Sequence, residues 1–310
     1  MKIYLPGAPQ HLLSVVLVCV AGAVLGCEQT AETVDSAPEM AAWDYYDDSP
    51  LYLKEDAHSN VVRKLIFLTE EEPGVVRGFD LDARTSSRDD VETCRHPDLQ
   101  DPDGRGGIDN QIASLFGLLL PIVEDTPQIA IQGAINEGRV LVMIELEGVD
   151  DLQNDDDVTV NVFRASGRPL VGNKGLIMPY QTFHVDYDLD VSTVTGVQIV
   201  NGELEAGPVD IEIPMDVLDA SFPMRLSQGR VRLKIAEDGS FTGLIGGGID
   251  IEHVFHEFGV VVEGTEDDLI RPIFEANADL GYVDGVCTHI SMAFGIEGDV
   301  AYAIHDASQE

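Results

Sequence analysis

From Arg139 onward the apolar residues fall at a spacing of two, and that period confines most of this 310-residue chain to extended structure. Residues 140–147 and 158–164 carry it first, on either side of the acidic loop 149–157 (VDDLQNDDD). Successive side chains of a strand point to opposite faces, so alternation buries one face and leaves the other to water. Segments 182–189, 196–200, 209–213, 222–226, 230–236 and 241–245 continue the pattern, with Asn201-Gly202, Gln228-Gly229 and Asp238-Gly239 between them. Asn-Gly and Asp-Gly reach positive φ at little cost, which two-residue hairpin turns require. A meander of antiparallel strands is the expected result.

Helices are expected around it. Ile112, Leu115, Phe116 and Leu119 form a stripe at helical spacing, with Asp109 as N-cap and Pro121 as the stop. Thr126 and Pro127 open a second helix that Gly138 closes. Residues 250–258 (DIEHVFHEF) return to helical spacing, and Thr265 caps a further helix over 266–280 that contains Pro272. Residues 61–68 and 75–82 read as early strands, and 283–305 as two closing ones. The fold class is therefore α+β, mainly antiparallel β, as a sandwich or curved meander with several helices packed on one side.

The N-terminus is of another kind. Residues 12–25 are an almost unbroken apolar run, too short for the ~20 residues that cross a bilayer as a helix. A short apolar run ending in small residues is a secretory leader. Val24-Leu25-Gly26-Cys27 resembles the lipobox of bacterial lipoproteins, which implies a diacylglycerol on the Cys27 sulfur and cleavage before it. Ala21-Gly22-Ala23 offers ordinary signal peptidase an alternative site. Glu28 after the cysteine implies, in the families it resembles, transfer to the outer rather than the inner membrane. The organisation expected is a leader over 1–26, an acidic tether over 27–60 and one α+β domain over 61–310. The lipid would be the only membrane attachment, in the cell envelope.

The charge is extreme, with 56 Asp and Glu against 18 Lys and Arg and a net charge of −38. Such a surface repels phosphate backbones, which argues against nucleic acid as a partner. Its acids are either a solvated surface or, in part, ligands for Ca²⁺, which binds through oxygen. Once Cys19 leaves with the leader and Cys27 takes lipid, Cys94 and Cys287 remain. In an oxidising compartment they form a disulfide most simply, with two buried thiols as the alternative.

The densest constellation lies over 79–111: GFDLD, Asp89-Asp90, Cys94 and DPDGRGGIDNQ. Asp101, Asp103, Gly106 and Asp109 match positions of the EF-hand loop, but Arg105 and Ile112 stand where ligands belong. An ordinary calcium sensor is excluded. What remains is a non-EF Ca²⁺ site drawing on Asp80, Asp82, Asp101, Asp103 and Asp109, or a glycine-rich loop in which Asp109 caps a helix. His184, Asp186, Asp188 and Asp190 share one side of an expected strand, read as a solvated face. His253, His256, Glu252 and Glu257 read as a polar helix face rather than a zinc site, and Gly246-Gly247-Gly248 as a bend. No G-x-S-x-G elbow, Walker loop or C-x-x-C is present.

GFDLDAR, Cys94, DPDGRGGIDNQ and GRVRLKIAEDGSFTGLIGGG together resemble acidic lipoproteins predicted from myxobacteria and their relatives. The resemblance implies location and a shared fold, not an activity, and no catalytic residues carry over. The functional expectation is a lipid-anchored, non-enzymatic module that displays a binding surface to a protein or glycan, with Ca²⁺ as stabiliser. A hydrolase using an Asp/Glu pair is the alternative.

Overall fold

The computed structural model describes residues 50–123, 126–217, 220–259 and 267–309. The leader, Cys27, Trp43 and Thr265 lie outside the described residues. Ten strands and four helices follow in the order β1 (Leu51–Tyr52), β2 (Ala57–Phe67), α1 (Gln111–Val123), α2 (Thr126–Glu137), β3 (Val142–Glu147), β4 (Asn154–Ser166), β5 (Thr182–Val185), β6 (Ser192–Val200), β7 (Glu203–Val217), β8 (Ala220–Ile235), β9 (Phe241–Asp250), α3 (Ile251–Gly259), α4 (Asp267–Ala276) and β10 (His289–Asp306).

Antiparallel sheet dominates, as the period of two requires. Pairing runs β10-β2-β3-β4-β6-β7-β8-β9, and β9 pairs again with β10, so eight strands return to their start. Asn201 and Gly202, at φ 53° and 76°, make the expected tight turn from β6 to β7, where Val200 faces Glu203. Asp238-Gly239 joins β8 to β9. Gln228-Gly229 does not turn the chain. Gln228 takes φ 52° inside β8 as a bulge, the register slips between Ser227 and Arg230, and two expected strands are one.

Phe294 of β10 faces Phe67 of β2 and Ile245 of β9. Phe116 of α1 closes on Phe67 edge-on at 4.9 Å, so α1 is seated on this apolar face. Burying one such ring contributes about 2 kcal/mol. Residues 165–166 and 302–306 extend beyond the ring. There β5 joins β10 in parallel and β4 antiparallel, and β1 pairs with Asp306 and His305.

Helix α2 replaces a missing strand. β3 covers β2 only over residues 57–61, which leaves the following backbone groups on that side without a ladder. Gln128 donates to Leu65 O at 2.8 Å and accepts from Phe67 N at 3.1 Å, and Gln132 donates to Arg63 O at 2.9 Å. Glutamines four apart share one face of a helix, so one helix face serves the strand edge. α2 also touches β7, the strand farthest from β2 around the ring.

Several sequence expectations are corrected. Residues 51–60, assigned to the tether, already form β1 and the start of β2, because their partners lie at the far end of the chain. Residues 75–82 make only isolated bridges, at Val75 and Phe79. α1 runs through Pro121 to Val123, and 289–306 is one strand. Gly246-Gly247-Gly248 lies within β9, not in a bend.

Candidate metal centre

Residues 69–110 form the longest connection between β2 and α1, and apolar contacts hold them down. Val76, Phe79 and Ile108 are buried with Leu68, Leu244 and Ala293 in a cluster separate from the main core. The Arg232 guanidinium lies over the Phe79 ring at 4.9 Å. The disulfide Cys94–Cys287 joins this connection to the segment before β10. His96 Nε2 donates to Ala276 O at 3.0 Å nearby.

Three consecutive residues fasten the connection to the sheet. Asp109 Oδ2 accepts the Leu81 N–H at 2.6 Å. Asn110 donates to Arg77 O at 3.0 Å and accepts the Ala293 N–H at 3.1 Å. Gln111 N donates to Ser291 Oγ at 2.7 Å, and that hydroxyl donates to Asp279. Asp279 Oδ1 also accepts the Ser291 N–H at 2.7 Å. β2 pairs with β10 only from Phe294 onward, so these side chains take the amides of Ser291 and Ala293 where no strand does. Asp109 is therefore not the cap of α1 but the clamp on 81–82.

Folding gathers carboxylates around this clamp. Oxygens of Asp80, Asp82 and Asp109 lie within 4.8 Å of one another. Burial drives the Asp109 carboxyl up to about 8 against its bond from Leu81, and repulsion from Asp279, Asp82 and Asp98 adds to it. Burial likewise raises Asp279 to about 7, opposed by the bonds from Ser291. Asp82 and Asp98 are also raised, first by burial and then by neighbouring carboxylates. Among the described residues no Lys or Arg forms an ion pair with these five acids. Arg84, the nearest in sequence, turns to Glu92 at 2.6 Å and Asp90 at 3.5 Å.

The donor set is one that can hold a metal ion. Two oxygens on one Ca²⁺ sit at most about 5 Å apart, because each lies 2.3–2.6 Å from the ion. A purely carboxylate group suits a hard cation rather than zinc. Gly107, at φ 78°, leaves room beside it, since a Cβ there would stand 3.3 Å from both Asp80 Oδ2 and Arg84 O. Asp101 and Asp103, expected to join them, belong to a separate turn. Arg105 donates to Asp103 at 2.9 Å and lies 3.7 Å from Asp101, and Asp101 Oδ1 accepts the Asp103 N–H.

The other constellations resolve differently. β5 ends at Val185, so residues 184–190 do not present one strand face, and Asp186 pairs with Arg164 at 3.1 Å. Glu252 pairs with Arg271, and His253 Nε2 donates to Pro223 O at 3.3 Å. Sequence reasoning missed one deeply buried charge. Glu145, 1% exposed on β3, accepts Ser59 Oγ at 2.9 Å, His305 Nε2 at 3.1 Å and Lys54 Nζ at 3.1 Å. Burial would raise its carboxyl, but His305 and Lys54 outweigh that and hold it below the ordinary carboxylate range. A Glu within the apolar run VLVMIEL was the available signal. No family model, curated protein or solved structure matches the chain.

Proposed function

We propose that this is an exported lipoprotein, anchored through Cys27 in the cell envelope, whose acidic β domain is a non-enzymatic binding module stabilised by Ca²⁺. The sheet is read as a curved meander closed on itself rather than a sandwich, from the return pairing of β9 with β10. The observation that carries the non-enzymatic reading is the occupation of the buried acids. Asp109 holds Leu81, Asp279 holds Ser291, and Glu145 holds Ser59, His305 and Lys54. A carboxylate committed to internal donors fastens structure and has little left for a substrate. The Asp80, Asp82 and Asp109 oxygens repel one another until a divalent ion neutralises them.

A second reading has one observation in its favour. Asp109, raised to about 8, stands beside the more exposed Asp82. Two carboxyls whose surroundings push them unequally are the pairing that acid-assisted glycoside hydrolysis uses. Thermal melts with calcium against chelator, at constant ionic strength, separate the two. Binding to the folded state alone raises stability by about 2.7 kcal/mol at a hundredfold excess over Kd. Asp82→Asn should abolish the calcium-dependent rise in Tm. A wild-type Tm that ignores calcium, with hydrolysis of a glycan panel lost in Asp82→Asn, would favour the hydrolase. Cys27 is tested separately: intact mass of the membrane fraction should show a diacylglyceryl adduct that Cys27→Ala removes.

A further inference from the structure

Between Asp157 and Asp186 the chain carries no Asp or Glu, although acids make up 56 of its 310 residues. Within that interval residues 168–181 form a hairpin off the end of β4. Leu170 O accepts the Met178 N–H at 3.0 Å, Val171 bridges Ile177, and Gly172-Asn173-Lys174-Gly175 makes the turn. Ile177, 2% exposed, fixes the hairpin into the core, and Asn136 of α2 holds its tip by donating to Gly175 O at 2.8 Å. The opposite side faces outward. Leu170 is 66% exposed and Tyr180 62%, with Met178 on the other arm; Val171, across from Ile177, is 40% exposed.

Two further features separate this hairpin from a stray apolar loop. Tyr180 sits at φ 62°, a region that bulky residues avoid, with its N–H donated to Val300 O at 2.6 Å. Strained backbone that holds an aromatic ring in water is a mark of function rather than of packing. Arg168 and Lys174, both exposed, enter no ion pair among the described residues. Acids outnumber bases threefold in this chain, yet the interval that carries these two bases holds none.

We propose that the hairpin 168–181 docks on a phospholipid surface, with Leu170, Met178 and Tyr180 entering the interfacial layer and Arg168 and Lys174 reaching headgroup phosphates. Aliphatic side chains flanked by tyrosine and long cationic stems are the composition that settles at a bilayer interface. Charge complementarity selects the lipid phosphate. The acidic remainder is repelled, but salt screens that repulsion beyond about 8 Å, and the hairpin carries no carboxylate of its own. The proposal does not rest on Cys27 or on calcium.

The full-length chain tests it with a single indole. Trp43→Phe removes the native tryptophan, and Tyr180→Trp, or Leu170→Trp should that variant misfold, places one on the hairpin. Val283→Trp is the control, because Val283 lies beside the start of β10 and the hairpin meets that strand at Val300 and Tyr302. Vesicles of phosphatidylcholine and phosphatidylglycerol with brominated acyl chains should quench the indole at 180 and not at 283. Arg168→Glu with Lys174→Glu should abolish that quenching. Equal quenching at both positions, or none at 180, would overturn the proposal. So would a lipid-independent blue shift that grows with protein concentration, since the partner would then be a second copy.

Discussion

Asp109 and Asn110 fasten different pieces of backbone with their side chains, and with the Gln111 N–H on Ser291 Oγ they hold residues 77–82 against β10. Asn110 is 1% exposed and has both ends of its amide committed. Asn110→Ala leaves a carbonyl and an N–H buried without partners, and should lower stability by about 2–4 kcal/mol in urea titrations. Glu145 is the charged counterpart. Removing one member of a buried ionic network costs about 3–5 kcal/mol, because the partners left behind remain desolvated. Glu145→Gln should fall in the lower half of that range, since Lys54 keeps Glu147. Its pH dependence has a definite sign. A carboxyl lowered in the fold from its ordinary 4.5 contributes stability above that value and loses it as pH falls through the lower folded one. The urea midpoint of the wild type should therefore drop more between pH 5 and pH 3 than that of Glu145→Gln. Equal drops would assign the acid sensitivity to other groups.

At the scale of elements, the ladder is completed by side chains wherever a strand is short. Gln128 and Gln132 serve β2, and Asp279 and Asn110 serve β10. Gln128→Met keeps helix propensity and volume but removes both bonds. The Phe67 amide should exchange with deuterium markedly faster, and stability should fall by about 1–3 kcal/mol. The glycines of β9 act in the other direction. A Cβ on Gly246 would stand 2.5 Å from Met292 O, a backbone atom that cannot move without parting β9 from β10. Gly246→Ala should cost about 3 kcal/mol, read as a fall in Tm. Its neighbour Gly248 would meet nothing closer than 3.4 Å, so Gly248→Ala should be tolerated far better. Local sequence predicts a bend at this triplet because glycine is permissive. The structure uses the same residues for close approach of three strands.

At the scale of the whole molecule, Cys94–Cys287 closes a loop of 193 residues and joins the carboxylate-bearing connection to the segment that carries Asp279. The chain-entropy model gives about 5 kcal/mol for a loop of this length, and residual structure in the unfolded chain reduces it. Replacing both cysteines by Ala should lower Tm and weaken the calcium-dependent shift, since the connection loses its covalent anchor. Free alkylation of both thiols in the unreduced wild type would contradict the bond.

The alternation after Arg139, the Asn201-Gly202 and Asp238-Gly239 turns and the boundaries of α2 were legible in the sequence, because each depends on residues within a few positions of one another. The pairing of Cys94 with Cys287 was the simpler of two expectations, the other being two buried thiols. Closure of the ring was not legible, since the partners of β10 include residues from both ends of the chain. The candidate centre divides along the same line. Asp80, Asp82 and Asp109 were visible as a dense local group, whereas Asp279 joins them only through tertiary contact, and Asp101 and Asp103 are drawn off by Arg105 between them. Sequence by itself determined the local conformations, where backbone preference decides. Tertiary structure alone decided which carboxylates are buried together, because desolvation and charge repulsion depend on distance in space.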